Sequence, residues 1–281
     1  MTREPYGTRL RRLLSERGPL CVGIDPHPEL LRAWDLPADA GGLERFARRC
    51  VEAFGDLVAV VKPQSAFFET YGSAGIAVLE RVLADLRDVG ASSILDVKRG
   101  DIGSTMAAYA AAYLADGAPL AADAITASPY LGFGSLEPAL ALAERTGRGV
   151  YVLALTSNPE GASVQQARSA DGTSIGQQII DAAIARNAGT GAPAGHVGLV
   201  VGATTAPGRA DLSRVNGPVL APGLGAQGAT AGDLAAVFGP ALAHVLPAIS
   251  REVLGHGPDP RRLREAARRA AGQMIETLPV G

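Results

Sequence analysis

The sequence predicts an α/β protein built as one parallel (β/α)8 barrel, a TIM barrel, with an extra helix ahead of the first strand. Two observations predict this fold. Short apolar runs of strand length alternate with amphipathic stretches along the whole chain, and eight such runs occur. In addition, no linker-like segment interrupts the alternation, so we expect residues 1–281 to form a single domain.

The eight predicted strands are rich in Val, Ile, Leu and Ala. Because apolar residues fill them almost continuously, they are typical of strands that are covered on both faces in a parallel sheet. They cover residues 20–24, 57–61, 93–97, 122–125, 150–154, 197–201, 219–221 and 245–249.

Helical signals fill the intervals between the strands. The extra N-terminal helix is expected from Tyr6 to Arg17. Thr230 and Asp259 are residue types that cap the N terminus of a helix, and Gly90 follows an apolar stripe where a helix commonly ends. The stretch 189–195 is rich in Gly and Pro and predicts a loop before the sixth strand.

The composition limits the classes of partner. The chain has 26 basic and 28 acidic residues and no basic block, which argues against nucleic acid. The Ala-rich stretch 105–125 is interrupted by charged residues, Gly and Pro, so it is not a membrane span. The start, residues 1–5, lacks the apolar segment of a secretory signal, and we therefore expect a cytoplasmic protein.

No pattern of cysteines or histidines predicts a metal site. Cys21 and Cys50 have no metal-binding spacing and are typical of buried thiols. The histidines also lack a mutual metal spacing, and we expect each of them at the surface or in a capping position. They are His27, His196, His244 and His256.

The most informative segment of the chain is the run Asp96-Val97-Lys98-Arg99-Gly100-Asp101-Ile102, which overlaps the end of the third predicted strand. Side chains alternate along a strand, so Asp96 and Lys98 point to the same face and Asp101 lies in the following turn. Buried charges cost several kcal/mol per ion unless they are paired. Taken alone, the string also fits a surface loop of mixed charge.

Polar residues end several other predicted strands. The first strand ends at Asp25 and the second at Lys62. The fourth runs through Asp123 into a polar segment, and Ser157 follows the fifth. Because functional groups of a parallel barrel gather at the carboxyl ends of its strands, we expect these residues to meet on one face.

The last two strands predict a phosphate site. Residues 222–228 read Pro-Gly-Leu-Gly-Ala-Gln-Gly, and glycines let backbone N–H groups approach an anion while Gln227 donates from its amide. Ser250 and Arg251 follow the eighth strand, and a guanidinium can bind phosphate through two parallel hydrogen bonds. The loops after strands seven and eight form the frequent phosphate site of this fold.

Together these residues resemble the orotidine 5′-phosphate decarboxylase family. The string Asp96-x-Lys98-x-x-Asp101-Ile102 is similar to that family's signature, and the resemblance extends over nearly the whole chain. The strings at 129–132 and 156–159 resemble its longer bacterial branch. The resemblance implies a homodimeric (β/α)8 barrel that removes CO2 from orotidine 5′-phosphate to give UMP in pyrimidine biosynthesis. It implies neither a metal nor an organic cofactor.

The resemblance also implies roles for individual residues. Lys62, Asp96, Lys98 and Asp101 would form an alternating catalytic array in which Lys98 protonates the carbon that loses CO2. Asp101 would reach in from the partner subunit with Ile102 and Thr105, so that the active sites are shared. The expected substrate-binding residues are Asp25, Ile102, Thr105, Ser157, Gln227, Ser250 and Arg251.

Two alternatives stay open at this point. One is a metal-dependent sugar-phosphate decarboxylase or aldolase on the same barrel, whose relatives carry an acidic metal ligand where this chain has Lys62. The other is a phosphate-binding barrel without catalysis. The first is disfavoured because a lysine repels a divalent cation, and the second because a pure binder does not need an array of closely spaced charges.

Overall fold

A computed structural model describes residues 3–189, 195–224 and 230–278. Its centre is a closed barrel in which β1 to β8 pair in chain order, all parallel, and β8 pairs with β1. This confirms the predicted fold class. The strands are β1 Cys21–Ile24, β2 Val60–Pro63, β3 Ser92–Arg99, β4 Ala124–Ala127, β5 Gly149–Leu155, β6 Val197–Val201, β7 Val219–Pro222 and β8 Val245–Ile249.

Helices surround the barrel, and the predicted N-terminal helix has the expected bounds. The connection between β6 and β7 is described throughout and contains turns without a helix. Short 3₁₀ helices span Phe133–Leu136, Pro159–Gly161 and Gly239–His244. The α-helices are α1 Tyr6–Arg17, α2 Pro28–Ala33, α3 Ala40–Phe54, α4 Ser65–Glu69, α5 Gly72–Asp88, α6 Gly103–Leu114, α7 Glu137–Thr146, α8 Ala162–Gln165, α9 Ile175–Ala188, α10 Ala231–Phe238, α11 Arg251–Leu254 and α12 Pro260–Thr277.

The three helix-end predictions are confirmed. Thr230 caps α10 and forms a reciprocal capping box with Asp233, and Asp259 accepts a hydrogen bond from the first turn of α12. Gly90 follows α5 with a φ of +70°, a left-handed conformation that glycine adopts without a steric penalty.

The hydrophobic core has two parts. The larger part lies between the strands and the surrounding helices, and the smaller one fills the barrel interior. Helix α1 closes the barrel at the amino ends of the strands, where the Tyr6 and Tyr151 hydroxyls are 2.9 Å apart. Cys21 and Cys50 are buried free thiols, as predicted, and burial raises the pKa of Cys21 to about 12. Such thiols are poor nucleophiles at neutral pH.

Two sequence expectations are wrong. Strand β4 starts at Ala124, so Asp123 precedes it and lies at the amino end of the barrel, away from the other polar strand ends. There its carboxylate accepts hydrogen bonds from Ser93 and forms ion pairs with Arg3 and Arg9. His196 was expected at the surface or in a cap but is 6% exposed, and burial lowers its pKa.

No described helix is long and apolar enough to cross a membrane.

The Asp123 cluster at the base of the barrel leads to a prediction about stability. Replacing Asp123 by Ala leaves Arg9 without its buried partner, so we expect a loss of about 3–5 kcal/mol in the free energy of unfolding. The matched control is Asp56→Ala, which removes a largely exposed partner of Arg264 and should cost about 1 kcal/mol or less. Urea denaturation measures both. Similar losses for the two variants would contradict the structural role of Asp123.

Candidate active site

The candidate site begins at the irregular end of β3. Between the pairs Leu95–Ile125 and Arg99–Ala127, β3 advances four residues while β4 advances two, which marks a bulge. Lys98 lies in this bulge with a φ of +46°, a left-handed conformation that non-glycine residues rarely adopt. The bulge brings both Asp96 and Lys98 to the carboxyl end of the barrel, where β2 lies alongside.

Asp96 is the centre of the site and is flanked by two lysines. Lys98 Nζ donates to Oδ1 of Asp96 at 2.6 Å, and Lys62 Nζ donates to Oδ2 at 3.1 Å. Lys62 Nζ is also 4.0 Å from a carboxylate oxygen of Asp25. The structure thus brings together three of the four predicted catalytic residues.

These charges stabilise one another inside the protein. Burial alone would raise the pKa of Asp96, but the ammonium groups of Lys62 and Lys98 bring it below its ordinary value. Burial alone would likewise lower the pKa of Lys62, but attraction to Asp96 and Asp25 raises it. Both groups are therefore charged at neutral pH. Their mutual attraction offsets the free-energy cost of burying the two charges.

Almost all residues of the Lys and Arg class in this chain are arginines. Lys62 and Lys98 are its only two lysines, and every other residue of the Lys and Arg class is an arginine. Both lysines contact the same carboxylate. A lysine ammonium can release a proton, whereas an arginine side chain stays protonated in proteins. The site therefore contains both lysines of the chain, and a lysine, unlike an arginine, is suited to donating a proton.

Two neutral side chains complete the surroundings of Asp96, and the sequence reasoning missed both. Gln64 donates its amide to Oδ2 of Asp96 at 2.7 Å, and Thr126 donates its hydroxyl to Oδ1 at 2.8 Å. The sequence gives only weak indications that these two residues belong to the site. Gln64 stands two residues after Lys62, the spacing of one strand face, and Thr126 belongs to the polar end of the fourth strand.

A cleft beside Lys62 is lined by residues that follow β1, β7 and β8. They include the predicted residues Asp25, Ser250 and Arg251. Among the described residues, Oδ1 of Asp25 and the Ser250 hydroxyl have no hydrogen-bond partner although both are buried. A side chain at Gly23 would place its Cβ 3.0 Å from Ser250, so glycine lets β1 and β8 approach closely here. The cleft thus has free polar groups for a ligand.

The cleft also contains His27, which was expected at the surface or in a cap. It stands at the N-cap position of α2 but makes no side-chain capping bond. Its ring packs against Phe67 with centroids 4.2 Å apart.

Several predicted site residues stand apart from the Asp96 cluster. Asp101 accepts a hydrogen bond from the backbone of Ile102 and, among the described residues, forms no ion pair with Lys62 or Lys98. Ile102, Thr105 and Ser157 are exposed. Gln227 lies outside the described residues.

The fold and this cluster define a class of protein. A closed parallel barrel that carries a lysine–carboxylate–lysine cluster and a polar cleft at the carboxyl ends of its strands is a barrel enzyme with a small-molecule site.

Comparison with known proteins gives the family. The family model for the orotidine 5′-phosphate decarboxylase / HUMPS family matches residues 18–269. An orotidine 5′-phosphate decarboxylase of Salinispora tropica is 62% identical over 95% of both chains. One of Streptomyces coelicolor is 58% identical over 95% of this chain and 96% of its own. A crystal structure from Streptomyces avermitilis, described as the same enzyme, superposes with a TM-score of 0.95 at 55% identity and covers 99% of this chain and 97% of that one.

The chain belongs to the orotidine 5′-phosphate decarboxylase / HUMPS family, and it is a carboxy-lyase. Both the resemblance seen in the sequence and the enzyme class are therefore confirmed.

The different exposure of the two lysines leads to a prediction. Lys62→Met removes a cation whose side chain is 9% exposed and leaves Asp96 buried with one charged partner, so we expect a loss of about 3–5 kcal/mol in the free energy of unfolding. Lys98→Met is the matched variant. Because the Lys98 side chain is 47% exposed, we expect a loss of about 1 kcal/mol or less. Equal losses in the free energy of unfolding for the two variants, measured by urea denaturation, would contradict the larger structural role of Lys62.

Proposed function

We propose that this chain removes CO2 from orotidine 5′-phosphate to form UMP, with no metal or organic cofactor, and that Lys98 is the proton donor. The observation that carries the proposal is the placement of the chain's only two lysines on one buried carboxylate at the carboxyl end of the barrel. The names of the relatives supply the substrate.

The proposed reaction needs one proton and one site of charge stabilisation. The bond between the ring carbon and its carboxylate breaks, CO2 leaves, and the electron pair stays on the ring carbon. Lys98 then donates a proton from Nζ to that carbon. The half-exposed Lys98 ammonium can reach a bound substrate, whereas the buried Lys62 stays with Asp96 and Asp25. A fixed cation stabilises the developing negative charge without reorganisation.

Asp96 contributes through its own charge. We place it beside the carboxylate of the substrate, where two like charges repel and loss of CO2 relieves the repulsion. The pKa of Asp96 lies below its ordinary value because of the Lys62 and Lys98 ammonium groups, so the carboxylate is ionised in the site that receives the substrate. Lys62, which neutralises Asp96 on the other side, also lies 4.0 Å from Asp25 and is placed to help bind the ribose.

The remaining predicted residues are assigned to the rest of the substrate. Asp25 binds the ribose, and its Oδ1 in the cleft, which has no hydrogen-bond partner and lies 4.0 Å from Lys62 Nζ, supports this. Ser250 and Arg251 bind the phosphate with Gln227, and Ser250 also has a free hydroxyl. Ser157 binds the pyrimidine.

The metal-dependent alternative conflicts with the position of Lys62. A divalent cation held between Asp25 and Asp96 would have to displace an ammonium that lies 3.1 Å from one carboxylate and 4.0 Å from the other. A lysine provides a positive charge in that place already. The donor set therefore does not fit a resident metal ion.

We further propose that two chains share each active site. Asp101 makes no ion pair with the lysines of its own chain among the described residues, and Ile102 beside it is 62% exposed. Tyr130 and Leu131, in the loop after β4, are 80% and 52% exposed. Ser128, at the start of this loop, donates a backbone hydrogen bond to the carbonyl of Arg99 at the end of β3. A two-fold contact here would cover the apolar side chains and bring Asp101 to the partner's lysines.

The proton-donor role predicts the behaviour of two Lys98 variants. Lys98→Ala should form no measurable UMP from orotidine 5′-phosphate. Lys98→Arg keeps the positive charge but cannot release a proton, so we expect it to lose at least about 100-fold in kcat, the usual range for a general acid. Measured UMP formation gives kcat, and circular dichroism checks folding. Substantial activity in folded Lys98→Arg would exclude Lys98 as donor.

The same assay separates the alternatives. Wild-type activity in EDTA, unchanged by added magnesium, is the expected result. Loss of activity in EDTA that magnesium restores would favour the metal-dependent reaction. Tight UMP binding without turnover would favour a binding protein.

The shared site predicts complementation between two inactive variants. In a heterodimer of Lys98→Ala with Asp101→Ala, one site carries both lesions and the other carries neither. A mixed dimer purified through two different tags should therefore recover about half of wild-type activity, by the counting that two-fold symmetry imposes.

The control for complementation is a heterodimer of Lys98→Ala with Lys62→Ala. Both residues serve the site of their own chain, so each site carries one lesion and no activity should return. Recovery in neither heterodimer would show that Asp101 serves its own chain.

A further inference from the structure

Thr126 occupies a position between Asp96 and Lys98. It lies in β4 and is 1% exposed. Its hydroxyl donates to Oδ1 of Asp96 at 2.8 Å and accepts the backbone N–H of Lys98 at 2.9 Å. A hydroxyl has one proton, and the carboxylate accepts only, so the direction of both bonds is fixed.

The bulge in β3 explains why a side chain, and not a backbone carbonyl, accepts the hydrogen bond from the N–H of Lys98. In a regular parallel ladder, the N–H groups of β3 would find carbonyl partners on the neighbouring strand. The register irregularity between Leu95 and Arg99 interrupts that pattern, and Lys98 has a left-handed φ of +46°. The Thr126 hydroxyl accepts a hydrogen bond from the backbone N–H of Lys98. This bond supports the left-handed backbone conformation, which a lysine does not favour by itself.

The contacts form a closed ring. The Lys98 ammonium donates to Oδ1 of Asp96, the same oxygen that Thr126 binds, and Thr126 in turn holds the backbone of Lys98. The Thr126 hydroxyl thus positions the backbone of Lys98, and the Asp96 carboxylate positions its ammonium group. When the ammonium leaves Asp96 to reach a substrate, the hydroxyl bond still holds Oδ1.

We propose that Thr126 is a positioning residue for the reaction, which fixes the Asp96 carboxylate and the backbone of Lys98 relative to each other. The inference rests on the proposed role of Lys98 as proton donor. It adds a residue on β4 that is 1% exposed and acts through Asp96 and Lys98.

The chain contains a matched control at the opposite end of the barrel. The Ser93 hydroxyl donates to Oδ2 of Asp123 at 3.1 Å and accepts the backbone N–H of Asp123 at 3.0 Å. This is also a buried hydroxyl between a carboxylate and a backbone N–H, but its hydrogen bonds run to Asp123 and involve neither Asp96 nor a lysine. Ser93→Ala therefore reports the effect of losing such a hydroxyl on the fold alone.

The test compares Thr126→Val, Thr126→Ser and Ser93→Ala. Thr126→Val keeps the shape and removes both hydrogen bonds, and we expect kcat for UMP formation to fall about 10- to 100-fold, the scale of a small misplacement of reacting groups. Calorimetry with UMP counts the competent sites, and affinity for UMP should stay within about threefold of wild type because the cleft is unchanged. Thr126→Ser keeps the hydroxyl and should restore most of kcat per competent site.

A spectroscopic measurement adds a readout that stability does not affect. Protein labelled with ¹⁵N-lysine gives only two Nζ signals because the chain has only Lys62 and Lys98. The Lys98 signal should shift in Thr126→Val and stay in place in Ser93→Ala.

The possible outcomes separate this inference from the proposed function. An unchanged kcat in Thr126→Val, or an equal fall in Ser93→Ala, would overturn the positioning role while Lys98 remains the donor. Full activity in Lys98→Arg would instead remove the donor role itself.

Discussion

The site depends on one constraint, which is that a carboxylate buried inside a barrel must be matched by cations. Asp96 is 7% exposed, and a lone ion at that depth would cost several kcal/mol. Lys62 and Lys98 remove most of that cost, and Gln64 and Thr126 take the remaining lone pairs. Because β2, β3 and β4 are neighbours in a parallel barrel, their carboxyl ends deliver all of these groups to one place.

The sequence predicted the barrel and the charged centre because both follow from simple periodicity. Continuous apolar runs mark buried parallel strands, and β6 and β8 have the expected bounds. A shift of two residues at β4 was enough to misplace Asp123. The alanines before Asp123 are apolar but belong to the turn, and the pairing of Ala124 with Gly149 sets the true start. The later start leaves Asp123 before the strand, at the amino end of the barrel.

The neutral partners of Asp96 could not be predicted with the same rules. Gln64 and Thr126 carry no charge, and their role depends on the distance between neighbouring strands, which a single sequence does not give. The bulge in β3 is equally hidden, because Val97 and Lys98 look like an ordinary continuation of the strand. In the proposed dimer, the contacts of Asp101 involve the partner chain, so its place in the array rests on the resemblance and on the exposed residues around it.

The two ends of the barrel carry two buried ion clusters that differ in their cations. Asp123 and Asp96 are both buried carboxylates, and each has a hydroxyl and two cations as partners. At the base, the partners are arginines, which keep their protons. At the carboxyl end they are lysines, and one of them is half exposed beside a polar cleft. Burial therefore does not mark the active site in this protein. Under the proposed function, the distinguishing feature is a half-exposed lysine, which can release a proton to a ligand while a fixed carboxylate lies behind it.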